Sequence, residues 1–461
     1  MSRGEVLLLS CYELGRQPLG LAWALAFLER EGLEATGVDL AVQPFPEQRV
    51  IDAAVVVLLV PMHTALRLGV SASRRIRSAN PQAHVCFAGL YAWLNRELLL
   101  AGPADSVIAG ESEEALVALV RALRSGDAVE GLAGVTTREH PAGPSLVRLE
   151  FPTPHRSTLP TLTHYAHFVD GARHVQAGAV ESSRGCLHKC RHCPVVPVYG
   201  GRFFAVPQAV VLRDVRQQVT AGAGHITFAD PDFLNGPTHA IRVARALHEE
   251  YPDVTFDFTA KIEHLLQHRS LLPEFAGLGC RFVVSAIESL SEDVLERLEK
   301  GHTAADVELA LDLLDEAQIA LHPTLLPFTP WSTLDEYIAL LEWVRSRGMI
   351  THVPAVQLAV RLLIPAGARL LEHGTTEWLG EFDAQALGYR WTHPDPRMDD
   401  LHAAVSALVE RADVSDEPPS DTFDAIRRSA YAGAGRTVPV DEHPSLWIRP
   451  EPPRLTEDWF C

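Results

Sequence analysis

Three cysteines, Cys186, Cys190 and Cys193, stand in one short stretch with the spacing C-x3-C-x2-C. The chain has 461 residues and only seven cysteines, and the other four, Cys11, Cys86, Cys280 and Cys461, lie far apart. That is no disulfide framework. Three thiolates on one short loop suit a 4Fe–4S cluster, because each binds one iron and the fourth iron keeps an open position. A structural zinc is the competing reading, with His188 or His192 as fourth ligand. Such zinc sites usually pair two C-x2-C knuckles, and this chain has no second pair.

The pattern around the loop fits a barrel. Gly178 to Ser183 reads as a strand running into it. Further strands are expected at His225 to Ala229, Val254 to Ala260, Arg281 to Ile287, Ile319 to Leu326 and Ala355 to Leu363. Helical stretches alternate with them, at Val206 to Ala221, Glu292 to Lys300 and Leu334 to Arg347. Six such strands make a partial (β/α)6 barrel, whose functional residues belong at the C-terminal strand ends. Asp230 and Asp232 follow the second strand, Ser285 and Glu288 close the fourth, and Arg361 sits in the sixth. Each has a plainer reading. An Asp caps the turn at Pro231, the Ser and Glu cap their own strand, and Arg361 on an apolar strand needs either an anionic ligand or a protein carboxylate.

The first 125 residues alternate strand and helix in another way. Strands are expected at Glu5 to Ser10, Thr36 to Leu40, Ala54 to Val60, His84 to Ala88 and Ser106 to Ala109. Helices are expected at Arg16 to Glu31, Thr64 to Ala79 and Glu113 to Arg124. This is a doubly wound, Rossmann-like sheet, so the chain is α/β throughout. The turn after the first strand, Cys11-Tyr12-Glu13-Leu14-Gly15, lacks the G-x-G-x-x-G phosphate fingerprint. Prolines punctuate the stretch up to Gly178, which places a doubly wound domain at 1–130, a linker at 131–177 and the barrel at 178–370. A small helical extension follows at 371–461, with helices expected at Met398 to Arg411 and Thr422 to Tyr431. A net charge of −19 disfavours a broad nucleic-acid surface. No run is apolar enough for a transmembrane helix or a signal peptide, which points to a cytoplasmic protein.

The C-x3-C-x2-C loop within alternating strands and helices resembles the radical-SAM superfamily. The resemblance implies that Cys186, Cys190 and Cys193 hold the 4Fe–4S cluster and that S-adenosylmethionine (SAM) binds its open iron. It implies that one electron, from an external flavodoxin- or ferredoxin-type donor, cleaves SAM to a 5′-deoxyadenosyl radical that attacks a small-molecule substrate. Around SAM it places Asp230, Asp232, Ser285, Glu288 and Arg361, and it puts His192 where the family usually has an aromatic residue near adenine. The N-terminal strand spacing and Gly110-Glu111-Ser112-Glu113 resemble the cobalamin-binding domain of many such enzymes. A D-x-H-x-x-G cobalt-ligand pattern is absent, and His63 follows the third strand, not the first. Cobalamin binding with methyl transfer, and a vestigial domain that only shapes the site mouth, both stay open. The ending Trp459-Phe460-Cys461 resembles radical-SAM proteins with a CUAEP or CCAEP tail. That makes Cys461 a candidate catalytic thiol, with transfer of another SAM fragment or soft-element chemistry as the alternative reaction and a stop at a selenocysteine codon as its corollary. A non-enzymatic iron–sulfur or zinc sensor is the reading of another class, and it leaves the strand–helix units after the loop unexplained.

Overall fold

Apolar runs flanked by amphipathic stretches build two α/β units in this computed structural model, which describes residues 4–373, 377–415, 417–439 and 449–457. In the first unit β1 (Glu5–Ser10), β2 (Thr36–Asp39), β3 (Ala53–Leu59), β4 (His84–Ala88) and β5 (Ser106–Ile108) are parallel. They lie in the order β2-β1-β3-β4-β5, and β6 (Val135–Thr136) adds an antiparallel edge. The nearly unbroken Val/Leu run of β3 follows from burial on both faces. Val55 and Val57 meet α1 (Leu19–Arg30), while Val56 and Leu58 face the other layer. That layer holds α2 (Glu47–Asp52), α3 (His63–Ala79), α4 (Leu90–Leu94) and α5 (Arg96–Ala101). Strand β5 leads into α6 (Glu113–Ser125), which packs on the α1 side. Strand order reverses between β1 and β3, so the loops after these two strands part and leave a crevice, the usual ligand position in such sheets.

The second unit starts with β7 (His167–Asp170), inside the stretch expected to be linker, and β8 (Arg173–Val180), which begins there and runs into the strand expected from Gly178. After β8 comes a ribbon of β9 (Ser183–Gly185) and β10 (Phe203–Ala205), with α7 (Val196–Tyr199) between them. Then α8 (Gln208–Thr220), β11 (Ala223–Phe228), α9 (Pro237–Glu250), β12 (Thr255–Thr259), α10 (Ile262–Gln267) and α11 (Leu272–Gly277) alternate. The series ends with β13 (Cys280–Glu288), α12 (Glu292–Arg297), α13 (Ala304–Glu316), β14 (Ala320–Leu325) and α14 (Leu334–Ser346). Strands β8, β11, β12, β13 and β14 are parallel neighbours in sequence order and curl into a half-barrel.

The strand expected at Ala355 to Leu363 does not join the sheet. Ala355–Leu358 is a 3-10 turn, and only Arg361 makes a bridge, to Phe328. The reason is local: the Gln357 side-chain oxygen accepts the Leu325 N–H at 2.8 Å, taking an edge donor of β14 that a sixth strand would have used. The sheet grows at its other edge, through β7 antiparallel to β8. The extension also departs from all-helical. It holds a hairpin of β15 (Leu379–Asp383) and β16 (Gly388–Trp391), then α15 (Pro396–Ser415) and α16 (Pro419–Gly433), which bury Met398, Leu401, Phe423 and Ile426 in the barrel core. Finally β17 (Arg454–Leu455) pairs antiparallel with β7. No helix among the described residues is long and apolar enough to cross a membrane.

Candidate active site at the cysteine loop

The loop after β8 is pinned before its first thiol. Ser182 donates to Asp230 through its N–H at 2.7 Å and its hydroxyl at 2.6 Å, and the Ser183 hydroxyl adds a bond at 2.7 Å. Burial pushes the Asp230 carboxyl up to about 7 despite these bonds. Gly185 turns at φ +75°, and a Cβ there would meet the Arg202 carbonyl at 2.4 Å and the Tyr199 ring at 2.6 Å, so only glycine fits. Beyond Cys186, Asn235 Oδ1 accepts the Leu187 N–H at 3.1 Å, Leu298 O accepts the Arg191 N–H at 3.0 Å, and Arg369 donates to the Lys189 carbonyl.

Cys190 is buried, while Cys186 and Cys193 are half-buried beside Val195, Val198 and Tyr199. Burial pushes the Cys186 thiol up to about 12 and the Cys193 thiol to about 11, with the neighbouring cysteines adding to both. Binding a metal group must therefore displace the protons of Cys186 and Cys193. Cys280 begins β13, and Cys11 and Cys86 are buried in the first unit. A donor set of three thiols on one pinned loop fits a cluster that keeps one iron open.

Glu288 ends β13 at φ +65°, a left-handed conformation uncommon for a residue with a Cβ. Its Oε1 accepts from Lys300 Nζ at 3.2 Å and lies 3.1 Å from His192 Nε2. Burial works against the charge, but Lys300 and His192 outweigh it and hold the carboxyl at about 2. Lys300 also lies within electrostatic reach of Cys190 and Cys193. A fixed carboxylate and a fixed ammonium thus stand beside the thiols.

The other sequence candidates divide. Asp232 accepts the Leu234 N–H at 2.9 Å through Oδ1 and the Lys261 N–H at 3.2 Å through Oδ2. Ser285 shares the helix-facing side of β13 with Val283 and Ile287, whereas Phe282 and Val284 line the lumen; the Ser285 hydroxyl has no partner among the described residues. Arg361 is satisfied within the protein, by Asp399 at 2.7 Å, the Trp391 carbonyl at 2.9 Å and the Trp391 ring face. His63 Nε2 lies 2.8 Å from the Ala386 carbonyl. Cys461, with Trp459 and Phe460, lies outside the described residues. Sequence reading passed over Lys300 and His264 as site residues, and the serines that hold Asp230.

A buried latch joins the two units next to the loop. Arg184 bonds Glu181 at 2.7 Å and Glu113 at 2.8 Å and faces Glu111 at 3.5 Å, while Tyr199 donates to Glu111 at 3.0 Å. Its guanidinium also lies over Trp23 and Phe151. One cation thus serves three carboxylates, and burial pushes Glu111 up to about 7 against the pull of Arg184. Glu111 and Asp230 both bind a proton more tightly folded than unfolded. Their contribution to stability is whole below the ordinary carboxylate range and is lost as pH rises through about 7. In the metal-free protein Glu111→Gln is therefore expected to gain stability relative to the unaltered chain on going from pH 5.5 to pH 8, because only the unaltered chain loses the Glu111 share; urea unfolding midpoints of both chains at the two pH values check it.

Beside the latch is a cavity of about 310 Å3, at the lower end of the ~300–1,000 Å3 common for small-molecule sites. Its walls are the loops after β1 and β3, the turn at Gly110 and Ser112, and Arg184, Tyr199 and Pro231 of the second unit. It occupies the crevice where strand order reverses, facing the cysteine loop. Its lining holds no histidine, so a cobalt ion held there would take no imidazole from it.

Residues 180–353 match the model of the Radical SAM superfamily, so this segment is a radical SAM domain. Among curated relatives, an uncharacterized methyltransferase of Pyrococcus horikoshii is 27% identical over 207 residues, 43% of each chain. A tRNA-2-methylthio-N(6)-dimethylallyladenosine synthase of Chlorobium phaeovibrioides is 30% identical over 149 residues, 29% of this chain and 31% of the relative. The chain thus spans under half the length of these relatives. Two solved structures share its fold: TsrM of Kitasatospora setae, a radical SAM methyltransferase with cobalamin and a [4Fe-4S] cluster bound, and OxsB, a cobalamin-dependent radical SAM enzyme. For TsrM the TM-score is 0.66 at 16% identity, covering 93% of this chain and 99% of that one. For OxsB it is 0.69 at 15% identity, covering 89% and 67%.

Proposed function

We propose that this chain is a radical SAM enzyme that transfers a methyl group to a small molecule with the help of cobalamin. The observation behind this is the pinned three-thiol loop at the mouth of a half-barrel, facing a crevice cavity of the N-terminal sheet. A 4Fe–4S cluster on Cys186, Cys190 and Cys193 would supply the electron that cleaves SAM, and cobalamin, of which the crevice cavity of about 310 Å3 would hold only a part, would supply methyl transfer. The protein's own residues hold and orient. Glu288 offers a carboxylate to the SAM ammonium, and Lys300 offers a cation to the SAM carboxylate. Asp230 holds Ser182 and Ser183, and through them the loop. The latch around Arg184 keeps the N-terminal sheet ends over the loop.

A second cavity, about 760 Å3, opens from the lumen side of β12, β13 and β14 at Asp257, Phe282, His322 and Thr324, and reaches Arg16 of the N-terminal unit. Neither the three cysteines nor Glu288 and Lys300 line it. An external flavodoxin- or ferredoxin-type protein supplies the electron, and the reducing cytoplasm suits such a cluster. The test is anaerobic reconstitution with iron and sulfide, then SAM and dithionite with and without hydroxocobalamin. 5′-Deoxyadenosine by mass spectrometry supports the reading, and S-adenosylhomocysteine with a methylated product supports the methyl transfer. An intact cluster with no SAM binding sinks it in favour of a sensor. Methylthioadenosine would redirect it to transfer of the aminocarboxypropyl fragment. Glu288→Gln is expected to cost about 1.5–2 kcal/mol of SAM affinity, roughly 10- to 30-fold in Kd, measured by equilibrium dialysis on cluster-loaded protein.

A further inference from the structure

Next to the thiols, three other side chains converge from separate elements. His188 comes from the cysteine loop, Asp232 from the turn after β11, and His264 from α10. Three of their atoms form a small triangle. His264 Nδ1 lies 2.9 Å from Asp232 Oδ2, His188 Nε2 lies 3.5 Å from His264 Nδ1, and His188 Nε2 lies 3.8 Å from Asp232 Oδ2. A point equidistant from all three is about 2.0 Å from each, which is the bond length of zinc to imidazole nitrogen and carboxylate oxygen.

We infer that His188, Asp232 and His264 form a second metal site, separate from the three cysteines, that binds a zinc-like divalent cation with a fourth position open. The surroundings are those of a ligand set. Asp232 and His264 are buried, and His188 is mostly so. The Asp232 carboxylate is fixed by the Leu234 N–H on its other oxygen. The second ring nitrogen of His188 faces the Glu263 carboxylate at 3.5 Å, the outer-shell arrangement that orients a metal-bound imidazole. Lys261 and Lys300 are cations that oppose a metal here, and each is paired with a carboxylate, Lys261 with Glu263 at 3.3 Å and Lys300 with Glu288 at 3.2 Å. Two imidazoles and one carboxylate select a d-block ion over calcium or magnesium. A cation there would fasten the cysteine loop to α10 in addition to the turn after β11, where Asp230 and Asn235 already hold it.

The test uses the full chain with its iron–sulfur loop reconstituted, so that the thiols are occupied. The protein is incubated with zinc, desalted, and analysed for zinc and iron. The expectation is about one zinc per chain in addition to iron, with a zinc X-ray absorption shell of nitrogen and oxygen only. His264→Ala and His188→Gln should each lower zinc affinity at least ~100-fold, with zinc lost on desalting and iron retained, and Glu263→Gln should lower it ~10-fold. No retained zinc in the unaltered protein overturns the site, leaving a hydrogen-bonded His–Asp–His group without an ion. Sulfur in the zinc shell overturns it too, because the zinc then sits on cysteines. Zinc retained by both histidine variants does the same. Because His188→Gln changes a partly exposed ring and the absorption shell is read on unaltered protein, the outcome does not hinge on the folding of one variant. None of these readouts requires SAM cleavage, so failure of the proposed function and failure of this site are distinguishable.

Discussion

A Cys190→Ala chain is expected to emerge from anaerobic reconstitution with its iron–sulfur absorbance lost and with 5′-deoxyadenosine at background. Two thiolates on a loop that needs three leave the cluster without the set that encloses it. Cys190 is the buried member of the three, so a ligand from solvent does not replace it. Cys280→Ala is the control. It removes a thiol that burial also pushes up, but one buried at the start of β13, and it should leave iron loading intact. The raised thiols of Cys186 and Cys193 add a pH signature. Cluster loading of the unaltered chain should speed up between pH 7 and 8.5, because each thiol must lose a proton to bind iron. Iron content and absorbance after a fixed reconstitution time measure both effects.

Arg184→Ala is expected to cost about 3–5 kcal/mol of folding stability at pH 8, the range found when one partner of a buried ion pair is removed. The change leaves Glu111, Glu113 and Glu181 without their shared cation in a dry interface. Arg184→Lys should recover little of this, since one ammonium cannot reproduce a fork that serves Glu181 through Nε and Glu113 through Nη1. The penalty should shrink at pH 5.5, where Glu111 already takes up a proton in the folded chain. Urea unfolding at both pH values tests the sign as well as the size.

The parts of this architecture that depend on neighbours in sequence were legible beforehand. The cysteine spacing is local chemistry, and β1, β3 and β4 are continuous apolar runs that only a doubly buried strand explains. The misread strand shows the limit. Ala355 to Leu363 has strand-like composition, yet its course is decided by Gln357 reaching Leu325 and by Tyr337 donating to the Leu358 carbonyl at 2.9 Å. Both are tertiary contacts. Arg361 was read as needing a partner, but Asp399 lies in a helix that the sequence expectation placed in a separate extension. The latch and the His188, Asp232 and His264 group were out of reach for the same reason. His188, Asp232, Glu111 and Glu113 stand out in sequence for other roles, and only the closing of the half-barrel and its docking on the first sheet bring them together with His264 and Arg184.

The two-residue strand β17 has a bearing on how the chain reaches this state. It pairs Leu455 with Phe168 and Arg454 with Val169, while the Pro453 carbonyl lies 2.8 Å from His322 Nε2 on β14. The segment thus touches both margins of the curled sheet. Until residues 453–455 arrive, β7 is an open strand edge, a template for pairing with another chain. Such remote contacts are slow to form and leave incomplete species exposed to aggregation. Cover of that edge therefore depends on a stretch far from the thiols in sequence, and a chain cut short before residue 453 would carry the edge bare.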